Sequence, residues 1–232
     1  MANYRGIIEH VKKSEGGYSA DPVDNQSKNP SDVYGLDKRH PSYPVHTYKG
    51  VAWVSWKAYA KKKGFNPTGQ NFVNMSTNQW EDLLKTMYWD KVYGDDIRSQ
   101  GVAETIFESI WGGGSKVLVR DCQLFLLSKG ISVGQARADG AMGKDTVTAI
   151  NKFCKKDANE KEMIVYLAQK RLEYLQSLND WWKYGIGWAR RVNEVRDKAL
   201  EYITNKPNIK KLGIALTLFS LIGISAFLYI RR

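Results

Sequence analysis

The chain has 232 residues, 43% of them hydrophobic, enough for one or two compact units with real cores and too many for a chain that stays unfolded. Its formal charge of +11 favours polyanionic partners: nucleic acid, anionic lipid headgroups, or a bacterial wall with its acidic polymers. The three histidines His10, His40 and His46 show no ligand spacing and no H-E-x-x-H helix occurs, so a zinc site is not expected.

The amino terminus carries no apolar core of signal-peptide length. Asn3 to Lys13 places Ile7, Ile8 and Val11 at helical spacing and breaks at Gly16-Gly17. Ser19 to Pro44 is rich in turn formers and predicts loop, with a small β element near residues 19–36. Tyr48 to Lys63 predicts a helix ended by Gly64. Ser76 predicts an N-cap, with Gln79 placed for a capping box, for a helix running through Val92. Val102 to Trp111 predicts a helix that meets three glycines. Further helices are expected at about 115–129, 144–155, 158–178 and 186–203. Cys122 and Cys154 fall in apolar stretches of these helices and read as buried thiols. Residues 183–211 carry 8 Lys/Arg against 3 Asp/Glu, and Leu212 to Ile230 follows as 19 residues without a charge. That run, flanked by Lys210, Lys211, Arg231 and Arg232, predicts a membrane-spanning helix.

Chemistry concentrates in Glu15-Gly-Gly-Tyr18-Ser-Ala-Asp21-Pro-Val-Asp24. Glycoside cleavage needs one carboxylic acid to protonate the leaving oxygen. A second carboxylate commonly stabilises the cationic transition state, activates water or attacks the sugar. A Glu near a helix end, shielded by apolar neighbours, suits the acid, and an Asp on a solvated loop suits the ionised partner. Acids near helix ends are common, so the bare pattern also fits an ordinary helix terminus. The aromatic content, 8 Trp and 13 Tyr, fits core packing and also sugar-stacking platforms.

The segment EGGYSADPVD, followed by Tyr34-Gly35-Leu36, resembles glycoside hydrolase family 108, the phage and bacterial N-acetylmuramidases. The resemblance continues in order. Met75-Ser76 to Tyr88-Trp89-Asp90 resembles the family's capped helix, and Ile106-Phe107-Glu108-Ser109 its Phe-Asp-Ser segment. Asp139-Gly140-Ala-Met-Gly143-Lys-Asp-Thr146 resembles the D-G-x-x-G-x-x-T turn of the associated peptidoglycan-binding domain. Gly187-Trp188-Ala-Arg190-Arg191-Val192 matches a terminal Gly-Trp-x-x-Arg-Val. The resemblance implies Glu15 as catalytic acid, Tyr18 and Tyr34 at the substrate, and Asp139 and Gly140 at the wall. It also implies that no metal or organic cofactor is needed. The spacing of Glu15 to Asp24 resembles that of phage-type lysozymes. The family's Gly-Gly-x-Thr stretch is missing, and Asp32 stands where its Thr would be. The second catalytic group is therefore open among Asp24, Asp32 and Asp21. Trp111 stands near the family's Asn.

The expected protein is mainly α, a lysozyme-like helical fold with a small β/loop element plus a C-terminal transmembrane helix. Residues 1–98 form the catalytic domain, 99–185 a helical peptidoglycan-binding subdomain, 186–211 a basic juxtamembrane helix and linker, and 212–230 the span. The expected activity is muramidase cleavage of the β-1,4 bond of the wall glycan, used in phage infection or host lysis. Two other readings stay open. One is a lytic transglycosylase forming 1,6-anhydro products. The other is a non-catalytic wall- or nucleic-acid-binding membrane protein. Expected partners are peptidoglycan strands and, through the tail helix, a lipid membrane. No specific nucleic acid is expected, and the oligomeric state is open. The expected location is a single-pass membrane anchor, in the internal membrane of a phage virion or the bacterial inner membrane.

Overall fold

The computed structural model describes residues 1–14, 16–134 and 137–205. Helix α1 (Tyr4–Ser14) forms on the expected apolar spacing, with Ile7, Ile8 and Val11 buried on its inner face. Its start is clamped to a distant segment. Asn3 and Gln100 exchange backbone–side-chain hydrogen bonds of 2.7 and 3.1 Å, and Ala2 N–H donates to the Ile97 carbonyl at 2.7 Å.

Three two-residue strands follow, β1 (Tyr18–Ser19), β2 (Thr47–Tyr48) and β3 (Val51–Ala52), antiparallel in the order β1-β2-β3. In register, Tyr18 faces Tyr48, which on its other side faces Val51. The β2–β3 turn is Lys49-Gly50, both at positive φ (47° and 73°). This two-residue geometry matches the twist of the flanking strands. Two of the three strands thus lie at 47–52, beyond the stretch 19–36 where the sequence predicts the β element. The helix predicted from Tyr48 begins at Trp53, because the tight turn occupies the residues before it. Residues 20–46 are loop, with one 3-10 turn, Asn25–Lys28. Buried polar side chains satisfy its backbone. Asp37, 4% exposed, accepts the N–H groups of Ala20 and Arg39, each at 3.0 Å, and Ser31 Oγ donates to the Val45 carbonyl at 2.7 Å.

Helix α2 (Trp53–Lys63) ends at Gly64 in the left-handed conformation, as predicted. Helix α3 (Gly69–Val73) is too short to announce itself by periodicity. Helix α4 (Thr77–Leu84) opens with the predicted capping box of Ser76 and Gln79. The single helix expected through Val92 instead changes winding, to a π turn over Lys85–Trp89 and a 3-10 turn over Asp90–Val92. The wider turn accompanies the burial of Trp89, whose indole packs on Gly94 and donates to Asp95 Oδ1 at 2.7 Å.

Helix α5 (Gln100–Trp111) is the central rod, buried at every position from Gly101 to Ser109. Around it lie α6 (Ser115–Ser128), α7 (Lys144–Phe153), α8 (Asp157–Gln176) and α9 (Trp181–Thr204). Helices α8 and α9 pack along each other and both pack on α5, while α6 packs on α5 and α8. One apolar cluster runs from Trp56 and Trp89 through Phe107 to Leu126 and Ile150. Cys122 is buried and Cys154 partly buried, and the two form no disulfide; the Cys154 thiol lies 3.6 Å from Met163 Sδ.

The transmembrane part of the expected fold class is corrected. Among the described residues no helix is long and apolar enough to cross a membrane. The longest, α9, interrupts any apolar run with Lys183, Arg190, Arg191, Arg196 and Lys198. Leu212 to Ile230 lies outside the described residues. The fold class is mainly helical with a small three-stranded sheet. The single-pass C-terminal anchor and the lipid partner are corrected on the same finding.

Candidate active site

Glu15 lies outside the described residues, and its frame does not. Ser14 ends α1, Gly16 and Gly17 follow, and the Gly17 carbonyl accepts the Lys49 N–H at 3.2 Å. The chain just after Glu15 is thereby tied to the β2–β3 turn. Tyr18 stacks on Tyr48 with ring centroids 4.5 Å apart, and its hydroxyl donates to the Val73 carbonyl at 3.1 Å. A pocket of about 210 Å³ opens between the end of α1, the hairpin turn and the start of α4. Lys12, Gly16, Lys49, Thr77 and Trp80 line it.

The loop acids sit in three different environments. Asp21 is bound from the far end of the sequence, by Lys183 Nζ at 2.6 Å and the Tyr184 hydroxyl at 2.9 Å. Burial works to raise its pKa, but the bonds from Lys183, the Val23 N–H and Tyr184 win and hold the carboxyl at about 2. Asp24 is half-buried and caps the 3-10 turn, its Oδ1 accepting the Gln26 N–H at 2.8 Å. Asp32 is exposed and packs on Gly69, where a β-carbon would collide with its Oδ1. Tyr34 stands out in solvent, 59% exposed.

Beneath this loop, the seam of α1, α5 and α9 carries two buried glutamates one helical turn apart. Glu104, 2% exposed, is bound by Gln100 Nε2 at 2.7 Å, the Tyr202 hydroxyl at 2.8 Å and Lys198 Nζ at 3.1 Å. Lys198 also donates to the Gly6 carbonyl of α1 at 3.1 Å. Glu108 is bound by Arg191 Nε and Nη2, each at 2.9 Å, and its other oxygen lies 4.0 Å from His10 Nε2. Burial pushes the His10 pKa down, against the opposite pull of the Glu108 carboxylate. A pocket of about 140 Å³ follows, where Glu108, Arg171 and Arg191 meet apolar walls from Leu175, Trp188 and Val195. Sequence reasoning gave none of these residues a role. The available signal was Glu104 and Glu108, two acids at i and i+4 in an otherwise apolar helix. Lys183 and Tyr184, which hold Asp21, carried no signal.

Asp139 and Gly140 lie on the α6–α7 connection. Asp139 Oδ1 accepts the Ala141 N–H at 2.8 Å and Gln123 Nε2 at 2.9 Å, while the Gly140 N–H donates to Gln123 Oε1 at 2.8 Å. Gln123, buried in α6, thus organises the turn. A pocket of about 200 Å³ beside it includes Arg137, Lys144 and Asp145.

Residues 8–114, which span the end of α1, the loop, the hairpin and all of α5, match the sequence model of the family Glycosyl hydrolase 108. This stretch is a glycosyl hydrolase 108 domain. The protein is a glycoside hydrolase, and peptidoglycan fits as the substrate of such a domain. The fold is similar to a solved structure described as "Structure of Brucella abortus SagA", at 23% identity and a TM-score of 0.65. That match covers 88% of this chain and 97% of the other. No curated protein sequence matches. In the glycosyl hydrolase 108 domain Glu108 occupies the acid of the Phe-Glu-Ser segment. Its partner Arg191 belongs to the Gly-Trp-x-x-Arg-Val motif, so two motifs 83 residues apart meet in one ion pair.

Proposed function

We propose that this glycoside hydrolase is an N-acetylmuramidase, hydrolysing the β-1,4 bond after N-acetylmuramic acid with Glu15 as general acid. The observation that carries the reading is the glycosyl hydrolase 108 match, which runs through the α1–loop junction where Glu15 stands. Glu15 gives its proton to the leaving oxygen as the bond to the sugar carbon breaks. An ionised Asp stabilises the oxocarbenium-like state, and water completes the hydrolysis, leaving a reducing end. Asp24 is assigned that ionised role. One of its oxygens is fixed by the turn N–H, which orients the carboxylate. Asp21, tied to Lys183 and Tyr184, positions the loop. Asp32 is the remaining candidate for activating water. Tyr18 and the exposed ring of Tyr34 are assigned to the sugar. The pocket at Asp139 and Gly140, with Arg137 and Lys144 beside it, supports a wall-contacting role for residues 99–185.

The test is wall digestion followed by mass spectrometry of the products. Glu15→Gln keeps the side chain's size and should lower the rate by roughly 10²–10⁴-fold, with an unchanged helical spectrum. Activity within about threefold of the parent removes Glu15 from its role. Asp24→Asn should lose more than Asp32→Asn. Products ending in a 1,6-anhydro ring would identify a transglycosylase instead.

A further inference from the structure

The β2–β3 turn places a lysine where the backbone disfavours one. Lys49 has φ 47°, a left-handed conformation that brings the β-carbon of an L-residue too close to the following carbonyl oxygen. Two hydrogen bonds hold it there: its N–H to the Gly17 carbonyl at 3.2 Å, and the Trp80 indole N–H to its own carbonyl at 2.9 Å. Its stem crosses Tyr48, with Nζ 5.1 Å from the ring centroid, and the residue lines the 210 Å³ pocket with Lys12, Gly16, Thr77 and Trp80. Gly16 is the residue directly after Glu15, so the pocket lies within one residue of the assigned acid.

The two ammonium groups of this pocket differ. Lys12 is committed to Glu81 at 2.6 Å and Glu9 at 3.5 Å. Among the described residues no carboxylate pairs with Lys49. A half-buried cation in a pocket whose lining begins one residue after the assigned acid, with no carboxylate partner among the described residues, calls for an anion on the substrate. The wall glycan itself is uncharged, since its sugars carry acetamido and hydroxyl groups and the carboxyl of each muramic acid is taken up by the peptide bond. Its negative charge comes from the carboxylates of the peptide stem.

We infer that the Lys12–Lys49 pocket is a subsite for a stem-peptide carboxylate, with Lys49 as the specificity-determining residue that makes the enzyme prefer peptide-bearing glycan. This rests on the muramidase reading. Lys49→Asn is the informative variant, because Asn-Gly is the favoured pair for this turn and the cation is lost without strain. Lys49→Arg restores the charge.

The experiment uses the full chain and soluble peptidoglycan fragments freed of phosphate polymers, either native or with their carboxylates converted to amides. On native fragments Lys49→Asn should raise KM by about threefold to tenfold with kcat nearly unchanged, and Lys49→Arg should recover most of the loss. On amidated fragments parent and Lys49→Asn should share one raised KM. Equal kinetics of parent and Lys49→Asn on native fragments overturns the inference. So does an equal loss on both substrates, which would make Lys49 part of the fold. A parent that cleaves neither substrate overturns the muramidase reading, and this subsite with it.

Discussion

Glu104 and Glu108 in the helical seam are 2% and 7% exposed, and each is bound by a basic residue of α9. Asp24 and Asp32 in the loop lobe are half-buried and exposed, and the structure asks of them one turn N–H and one glycine contact. The seam holds three helices in place with charges that cannot lose a partner cheaply, since a buried ion left alone carries its full desolvation penalty. The loop lobe is held by short local bonds, so its acids stay available to a substrate. Under the proposed roles, rigidity and chemistry are kept in separate carboxylates, and Asp21 is the one that touches both regimes.

Substitutions should separate the two. The largest effect on stability is expected from Glu108→Ala, which removes the buried carboxylate that Arg191 binds through two nitrogens at 2.9 Å and should lower the unfolding free energy by about 3 kcal/mol. An unchanged denaturant midpoint would show that the seam is no stiffer than the loop. Asp21→Asn should cost less, about 1 kcal/mol at neutral pH, because Lys183 keeps access to water. Its pH dependence has a definite sign. The folded carboxyl titrates at about 2 against an ordinary 3.8, so its contribution is full above the higher value and is lost as pH falls through the lower. The stability gap between parent and Asp21→Asn should therefore close on acidification from about pH 5 to pH 2. A gap that stays constant over that range removes the ion pair as its source. Tyr18→Phe should be the mildest, losing only the bond to Val73, about 0.5–1 kcal/mol. A loss as large as that of Glu108→Ala would place β1 on the seam's side of the comparison.

What could be read from the sequence was local. The Ile7, Ile8, Val11 spacing gives α1, Gly64 ends α2, and Ser76 with Gln79 starts α4, each within a few residues of its signal. The hairpin at 47–52 was hidden because Lys49 is not a residue that announces a left-handed turn, and Trp53 to Lys63 extends a helical pattern back over it. Contiguous motifs could be read from the sequence, and contacts between distant segments could not. The motif near Glu15 is contiguous, whereas Asp21 meets Lys183 across 162 residues and Glu108 meets Arg191 across 83. Such pairs leave no periodicity behind. The charge-free run near the carboxyl end was the strongest single pattern in the chain, and among the described helices nothing matches the span it suggested.

Cys122 offers a use that has nothing to do with sugars. It sits fully enclosed in the core, and burial, aided by Cys154 and Asp121, pushes its thiol up to about 12. Since only a thiolate attacks alkylating reagents, this thiol is silent to them at neutral pH while the core stays closed. In a Cys154→Ser background, the rate at which a thiol reagent marks this sulfur becomes a clock for how often the helical core opens.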